Sequence, residues 1–431
     1  MAIIFASILI IVGLLLGMYI QNIFAMAAII LVAMLGYKSS FLLTYGFGII
    51  NTLVLLCVPL FIAVGLLMEK SGIGKHLINF VDLFVGRFKS GLAIVCILAS
   101  GAFGSISGSA FATLSCIGSI MKPRFKERGY PEEFSAALVT CSSPLGLLIP
   151  PSAHMVLYSW AGRQSMLACF LATVVPGCIL MLLMSVTCYF ILRNNNDVIT
   201  REKLPLNEFI KTAAERTTTT IPALVMPVIV LGGIYSGVFT PTEAAAVAVV
   251  YTIPVGFFIY RKLTIKNLVE TFIDTASTTG VVMVMIFCTM MLSRIYIMED
   301  LPGLITGFLE GFSVSKNVVL LGVNILLLIM GMLMDDTSAM LLTAPILIPV
   351  LQEFGVDPIQ FAGIIGVNLG VALLTPPTAP CLYFGSKVMG MDIVSMLPTT
   401  LKILVFAYMP TLILTTYIPG ITLWLPKFIL G

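Results

Sequence analysis

Asp335 and Asp336 stand side by side at the end of an apolar run, Asn324-Ile-Leu-Leu-Leu-Ile-Met-Gly-Met-Leu-Met. A carboxylate at the centre of a bilayer costs about 3 kcal/mol on insertion scales, so a pair held there marks a site. Neighbouring helical residues point about 100° apart, and the two cannot converge as an acid–base dyad. One is expected to face the site and the other to cap the helix beginning near Thr337. Arg294, within Phe287-Cys-Thr-Met-Met-Leu-Ser-Arg294-Ile-Tyr, is the one cation of another apolar run. Two roles stay open for it. Its planar fork could grip an anionic carboxylate, or it could neutralise Asp335 or Asp336.

A second cluster reads Ser100-Gly-Ala-Phe-Gly-Ser105-Ile-Ser107-Gly108-Ser109, four serines and three glycines inside an apolar segment. Glycines let a chain turn and present carbonyls, and serines add hydroxyls. Such an uncharged, oxygen-rich turn suits a sodium ion or a polar ligand. The plainer alternative is close helix packing through small residues. Ser142-Ser143-Pro144-Leu-Gly146-Leu-Leu-Ile149-Pro150-Pro151-Ser152 and Asn368 to Thr378 are two proline-broken stretches. Each proline lacks an amide donor and frees a carbonyl one turn earlier. Carbonyl oxygens are thereby turned toward a neighbouring hairpin tip, and Ser142/Asn368 and Ser152/Thr378 keep polar character at matched places.

Other candidates read more plainly. Thr240-Pro-Thr-Glu243 is a helix-capping box. His154, beside the first break, reads as satisfied packing. The nine cysteines lie inside apolar runs with no Cys-x-x-Cys pair and read as small buried hydrophobes. Zinc-protease, phosphate-loop and Ser-His-Asp patterns are missing, so energy must come from an ion gradient or a partner.

These residues must be placed by membrane helices. With 59% apolar and 10% charged residues and a mean hydropathy of +1.09, the composition is far from the quarter or so of charged residues usual in soluble domains. Apolar runs near 20 residues recur throughout, each able to cross about 30 Å of hydrocarbon. Spans are expected at 2–20, 22–36, 47–68, 166–192, 218–236, 241–260, 278–298 and 400–419. Two more contain the proline breaks, 130–162 and 358–386, for ten crossings in all. Met1–Ile20 lacks the basic start and cleavage site of a signal peptide and reads as the first span. Segments 90–122 and 316–348, interrupted at Gly101–Gly108 and Gly331–Thr337, are expected as re-entrant hairpins. Stretches 71–88 and 262–276 mix charged and apolar residues at helical spacing and are expected along the cytoplasmic interface.

The chain also repeats itself. Pro123, Gly129, Pro150-Pro151 and Ala153 recur as Pro349, Gly355, Pro376-Pro377 and Ala379, all at one offset (376 − 150 = 226). Ala136, Leu147 and Leu148 recur as Ala362, Leu373 and Leu374 in the same register. The copies differ in charge. Lys122-Pro-Arg124-Phe-Lys126-Glu-Arg128 carries four positive residues, whereas Ile348 to Pro358 has no Lys or Arg and holds Glu353 and Asp357. Positive residues stay cytoplasmic, so the copies should face opposite sides. Lys70, Lys75, Arg87, Lys89, Arg193 to Arg216 and Arg261 to Lys266 then share the cytoplasmic face, and both termini lie outside. Lys38 and Arg163 run against this pattern. An inverted repeat with mid-membrane breaks is the architecture of secondary transporters. The expected division is scaffold at 1–68, 166–277 (with a cytoplasmic linker, 193–216) and 399–431, and transport repeats at 69–165 and 278–398.

Gly104-Ser-Ile-Ser-Gly-Ser-Ala, Gly129-Tyr130, Ile149-Pro-Pro-Ser152, Gly237-Val-Phe-Thr-Pro-Thr-Glu-Ala-Ala-Ala, Asp357-Pro358 and Thr375-Pro-Pro together resemble the large membrane subunit of tripartite ATP-independent periplasmic transporters. The resemblance covers nearly the whole chain. It implies an all-α elevator similar to the ion-transporter superfamily, residing in the bacterial inner membrane and importing organic anions with sodium. It also implies a small four-helix membrane subunit and a periplasmic substrate-binding protein as partners, with no nucleic acid. Carried onto this sequence, one sodium site would use Ser105, Ser107, Gly146 and Ile149, and the other Gly331, Ala372, Thr375 and Thr378. Substrate would lie near Ser107, Ser109, Thr113, Ser152, Arg294, Asp335 and Asp336. Gly17-Met-Tyr19 departs from the family's Gly-x-Pro, and Thr113 stands where some members have an acid.

Two rival readings differ in class or partner. A membrane enzyme hydrolysing through Asp335 and Asp336 would need carboxylates converging from separate helices. A sodium symporter without a binding protein would use the same site. Dicarboxylates, sialic acids, keto acids and sugar acids all present the required carboxylate. Cysteines placed singly at 126 and 353 should react with an impermeant thiol reagent from opposite sides of the membrane; labelling from one side would end the inverted-repeat expectation.

Overall fold

The computed structural model describes residues 2–85, 90–193, 198–199 and 206–431. The expected charges Arg87 and Lys89, and residues 194–197 and 200–205 of the expected linker, lie outside them. Every regular element among the described residues is helical, as long apolar runs without alternation require when only a helix can pair all its own backbone groups.

Helices α1 (Ala2–Leu15), α2 (Ile20–Leu35), α3 (Ser39–Ile50), α4 (Cys57–Ser71) and α5 (Ile73–Val85) come first. The pair α6 (Gly91–Ser107) and α7 (Ala110–Glu127) precedes a helix in three pieces, α8 (Glu132–Ser142), α9 (Leu145–Leu148) and α10 (Ala153–Ala161). Next are α11 (Met166–Leu192), α12 (Leu206–Tyr235), α13 (Pro241–Pro254), α14 (Ile265–Met298) and α15 (Leu301–Gly311). A second pair, α16 (Lys316–Leu333) and α17 (Asp336–Glu353), leads to the broken α18 (Pro358–Ala372) and α19 (Pro380–Met389). Last come α20 (Ile393–Ile403), α21 (Met409–Tyr417) and α22 (Pro419–Leu430), with a π-helical turn, Leu404–Tyr408, joining α20 to α21.

Helix boundaries follow the offset found in the sequence. α7 and α17 begin 226 residues apart and end 226 apart (336 − 110; 353 − 127). α8 and α18 also begin at that spacing (358 − 132). The Pro150–Pro151 and Pro376–Pro377 peptides are both cis.

Several expectations are corrected. Among the described residues, seven helices are long and apolar enough to cross a membrane, or eight if the bent pair Glu132–Leu148 with Ala153–Ala161 is one span, against the ten expected. α1, α2 and α18, within the expected spans 2–20, 22–36 and 358–386, have 14, 16 and 15 residues, short of the roughly 20 needed. α16, expected as one hairpin arm, has 18 residues and qualifies as a span. Lys122 to Glu127 form the last turns of α7 rather than a loop. No breaker separates 262–276 from the span that follows, so α14 runs unbroken for 34 residues. The linker expected to reach 216 is helical from Leu206, and the single C-terminal helix is followed by α22. α5 is amphipathic as expected, with Ile73, Leu77 and Ile78 buried and Lys75 exposed. Eight cysteines are buried and unpaired, but Cys178 is exposed on α11.

Packing shows two groups of helices that also touch one another, α5 against α6 and α14 against α17. α1–α4 pack with α13 and α14, and α12 joins α5 and α13. The hairpin α6–α7, the pieces α8–α10 and α18–α19, and the helix α16 pack among themselves. α11 and α21, expected in the scaffold, and α20, which straddles the expected boundary at 398, lie against α6, α8 and α18 of this second group. At its centre, α8 is buried at every residue from Phe134 to Ser142 and α18 from Gln360 to Ala372. A helix apolar on all sides demands such a place. Polar residues tie this core together. Asn368 Nδ2 donates to Asn324 Oδ1 at 2.9 Å and Asn324 Nδ2 to Thr416 Oγ1 at 3.0 Å, joining α18, α16 and α21. Gln360 Nε2 donates to the Thr416 carbonyl at 2.9 Å. Replacing Asn368 with Leu should lower thermal stability in detergent by about 1 kcal/mol, since interhelical hydrogen bonds in membranes contribute roughly that much; an unchanged melting curve would count against a supporting role for this network.

Candidate functional site

The chain breaks its helices in narrower places than its sequence suggests. α6 stays helical through Ser107, so the expected opening at Gly101–Gly108 contracts to Gly108–Ser109. Ser105 accounts for part of this, because its Oγ donates to the Ala102 carbonyl at 2.8 Å and is satisfied within the helix. Gly108 makes the turn with φ +60, where a β-carbon would be strained, and the Pro151 carbonyl lies close by. Ser109 caps α7 by accepting from the Ala112 amide. In the second hairpin the expected gap Gly331–Thr337 shrinks to Met334–Asp335.

At the first tip, oxygens converge. Thr113 Oγ1 donates to the Ser109 carbonyl at 2.8 Å and lies 3.2 Å from Ser107 Oγ. Gly146 backs the cluster so closely that a β-carbon there would sit 2.7 Å from both the Ser109 carbonyl and Thr113 Oγ1. One turn earlier, a β-carbon on Gly104 would meet Gly146 Cα at 2.5 Å. Ser107, Ser109, Thr113 and Gly146 are thus brought together. Ile149 ends α9 with extended backbone, its side chain toward Gly177. Ser152 is buried beside Gly108, with no hydrogen-bond partner for its hydroxyl among the described residues.

The second tip is built in a parallel way. Gly331 abuts Ala372, and Thr378 Oγ1 donates to the Met332 carbonyl. Thr375 Oγ1 turns back to the Val371 carbonyl at 2.8 Å. Asp335 is the helix cap, accepting from the Ser338 amide at 3.0 Å. Asp336 faces inward, its Oδ2 lying 2.8 Å from His154 Nε2. His154 is therefore part of the site rather than packing. Its position two residues past Pro150-Pro151-Ser152 was the available signal.

Between the two helix groups lies a cavity of about 600 Å³. One side is the first tip (Ser107 to Ala112), the start of α10 (Ala153, His154) and Asp335 to Thr337. The other is α4, from Val58 to Glu69, and α14, from Thr278 to Met285. Glu69 escaped the sequence reading because, next to Lys70, it looks like an ordinary helix-end charge. Here it lines the cavity and accepts from Ser115 Oγ at 2.7 Å. Arg294 does not line the cavity. Its guanidinium lies 5.3 Å above the Tyr45 ring, and no ion pair joins it to Asp335 or Asp336 among the described residues. The capping box is present, with Thr240 Oγ1 accepting from the Glu243 amide and Glu243 Oε2 from the Thr240 amide.

A glycine at 146 is required by this geometry. Gly146→Ala should cost about 1–3 kcal/mol of stability through overpacking. Gly322→Ala, on an open helix surface, should be neutral or slightly stabilising. Equal melting temperatures for the two variants would contradict the close approach.

Comparison with known proteins fits this picture. The sequence model of "Tripartite ATP-independent periplasmic transporter, DctM component" matches residues 7–421. The chain is 37% identical over 379 residues to the C4-dicarboxylate TRAP transporter large permease protein DctM of Pseudomonas aeruginosa, covering 87% of this chain and 86% of that one. It is 34% identical to the sialic acid TRAP transporter large permease protein SiaM of Vibrio cholerae, over 89% of this chain and 88% of its relative. Among solved structures, the YdaH transporter of Alcanivorax borkumensis shares the fold with a TM-score of 0.59 at 14% identity, covering 87% of this chain and 88% of that one.

Proposed function

The chain belongs to the DctM component family of tripartite ATP-independent periplasmic transporters, and we propose that it is the large permease subunit of a sodium-driven importer of a small organic anion. In this reading it works in the bacterial inner membrane with both termini periplasmic. A small four-helix membrane subunit and a periplasmic binding protein that delivers the substrate are its partners. The relatives are named as permeases for C4-dicarboxylates and sialic acid, and a carboxylate is the group those substrates share.

The observation that carries the reading is the cavity's place and charge. It lies between two packing groups, at the tips and breaks of helices, where a moving body would meet a fixed one. α6–α11 and α16–α21 are assigned to the moving body, related as an inverted repeat, and α1–α4 with α12–α14 to the scaffold. Among the described residues, Glu69, Asp335 and Asp336 line the cavity, and no Lys or Arg does. An anion entering a chamber that already holds three carboxylates needs cations to accompany it. Each net charge carried across 100 mV is worth about 2.3 kcal/mol, so an inward cation gradient can both neutralise and drive the load.

Sodium prefers hard oxygen donors. The cluster of Ser107 Oγ, the Ser109 carbonyl and Thr113 Oγ1 supplies them at the first tip. One site is assigned to Ser105, Ser107, Gly146 and Ile149, with the carbonyls freed at the break as further donors. The other is assigned to Gly331, Ala372, Thr375 and Thr378, supported by the contact of Thr378 with the Met332 carbonyl.

Proteoliposomes holding the complete transporter should take up substrate several-fold faster under an inward sodium gradient than under potassium of the same strength. Uptake indifferent to sodium would overturn the coupling. Uptake of free substrate by the membrane subunits alone would favour the symporter that needs no binding protein.

A further inference from the structure

Among the described residues lining the cavity, His154 is the one side chain that can carry a positive charge. It sits at the start of α10, and its Nε2 lies 2.8 Å from Asp336 Oδ2 and 3.3 Å from Thr337 Oγ1. The imidazole thereby joins the first broken helix to the tip of the second hairpin. Its other nitrogen, Nδ1, is buried with no hydrogen-bond partner among the described residues. A neutral ring donating Nε2–H to Asp336 leaves a lone pair there; a protonated ring leaves an N–H. Either way a buried polar atom stays unpaired.

The groups that face this ring narrow what can complete it. Asp335 and Asp336 come from α17, Glu69 from α4 across the cavity, and Cys381 of α19 faces Asp336. The three carboxylates repel an anion, and the thiol of Cys381 is only a weak donor. The first residues of α7 and α10, Ala110 and Ala153, also line the cavity, and both helices bring the positive ends of their dipoles to it.

We infer that His154, oriented by Asp336, is the residue that receives the carboxylate of the transported anion, its protonated ring donating Nδ1–H to a carboxylate oxygen. The inference rests on the proposed import of organic anions. It gives the cavity a polarity, with the carboxylate held at the Asp336–His154 end and the rest of the substrate extending between α4 and α14 toward Phe111 and Phe384. It also makes binding depend on a proton that no sodium ion supplies. As pH rises and the ring loses its charge, the carboxylate loses its partner.

The test is ligand-dependent thermal stabilisation of the complete membrane transporter in lipid nanodiscs, in sodium buffer, from about pH 5.5 to 8.5, where histidine titrates. Succinate, pyruvate, gluconate and N-acetylneuraminate are the probes. For whichever of them binds, the half-saturating concentration should rise on the alkaline side by about tenfold per pH unit, as one linked proton requires. His154→Asn and His154→Gln should bind about tenfold or more weakly and without pH dependence. Asp336→Asn should bind more weakly yet keep it. A pH-flat wild type, or a His154 variant with the wild-type profile, would overturn the role of His154 and leave anion import standing. Stabilisation by none of the four at any pH would overturn both.

Discussion

Backbone that leaves the helix inside a membrane must find partners within the protein, because lipid offers none. That constraint organises this molecule. Each break is placed against another break or tip, so that freed groups meet protein and not hydrocarbon. Gly108 turns beside the Pro151 carbonyl, Gly104 rests on Gly146, Gly331 abuts Ala372, and Thr378 reaches the Met332 carbonyl. The glycines sit where a single β-carbon would push these partners apart. The same crowding gathers carbonyl and hydroxyl oxygens at the first tip, where Ser107, Ser109 and Thr113 meet.

The second organising fact is charge. Among the described residues, four titratable side chains, Glu69, His154, Asp335 and Asp336, share one cavity with no Lys or Arg. Asp335 is occupied as a helix cap and Asp336 by the imidazole, so each acid has a local partner before any solute arrives. A negatively charged solute would meet these carboxylates in the same chamber. Arg294 lies apart from this balance, over the Tyr45 ring on the α3 side of α14.

How far the sequence could be read depended on whether a feature is local. The capping box at Thr240–Glu243 and the span Met166–Leu192 were legible because neighbouring residues decide them. The breaks were located but drawn too wide, since a serine such as Ser105 can satisfy its hydroxyl on its own helix and leave the backbone closed. Glu69 and His154 were passed over because each looks ordinary beside its chain neighbours. Their partners, Ser115 and Asp336, lie 46 and 182 residues away (115 − 69; 336 − 154).

By itself, then, the sequence determined a helical membrane protein with a motif repeated at an offset of 226 residues (376 − 150), with breaks at the prolines and carboxylates at the second tip. Hydrophobicity, proline chemistry and repeat spacing are properties of the chain and need no fold to be seen. Only the tertiary structure decided which carboxylate caps and which faces inward, that a histidine bridges the two halves, and that the lone buried-span arginine stands outside the cavity. Those outcomes depend on distances between segments far apart in sequence, and packing alone sets such distances.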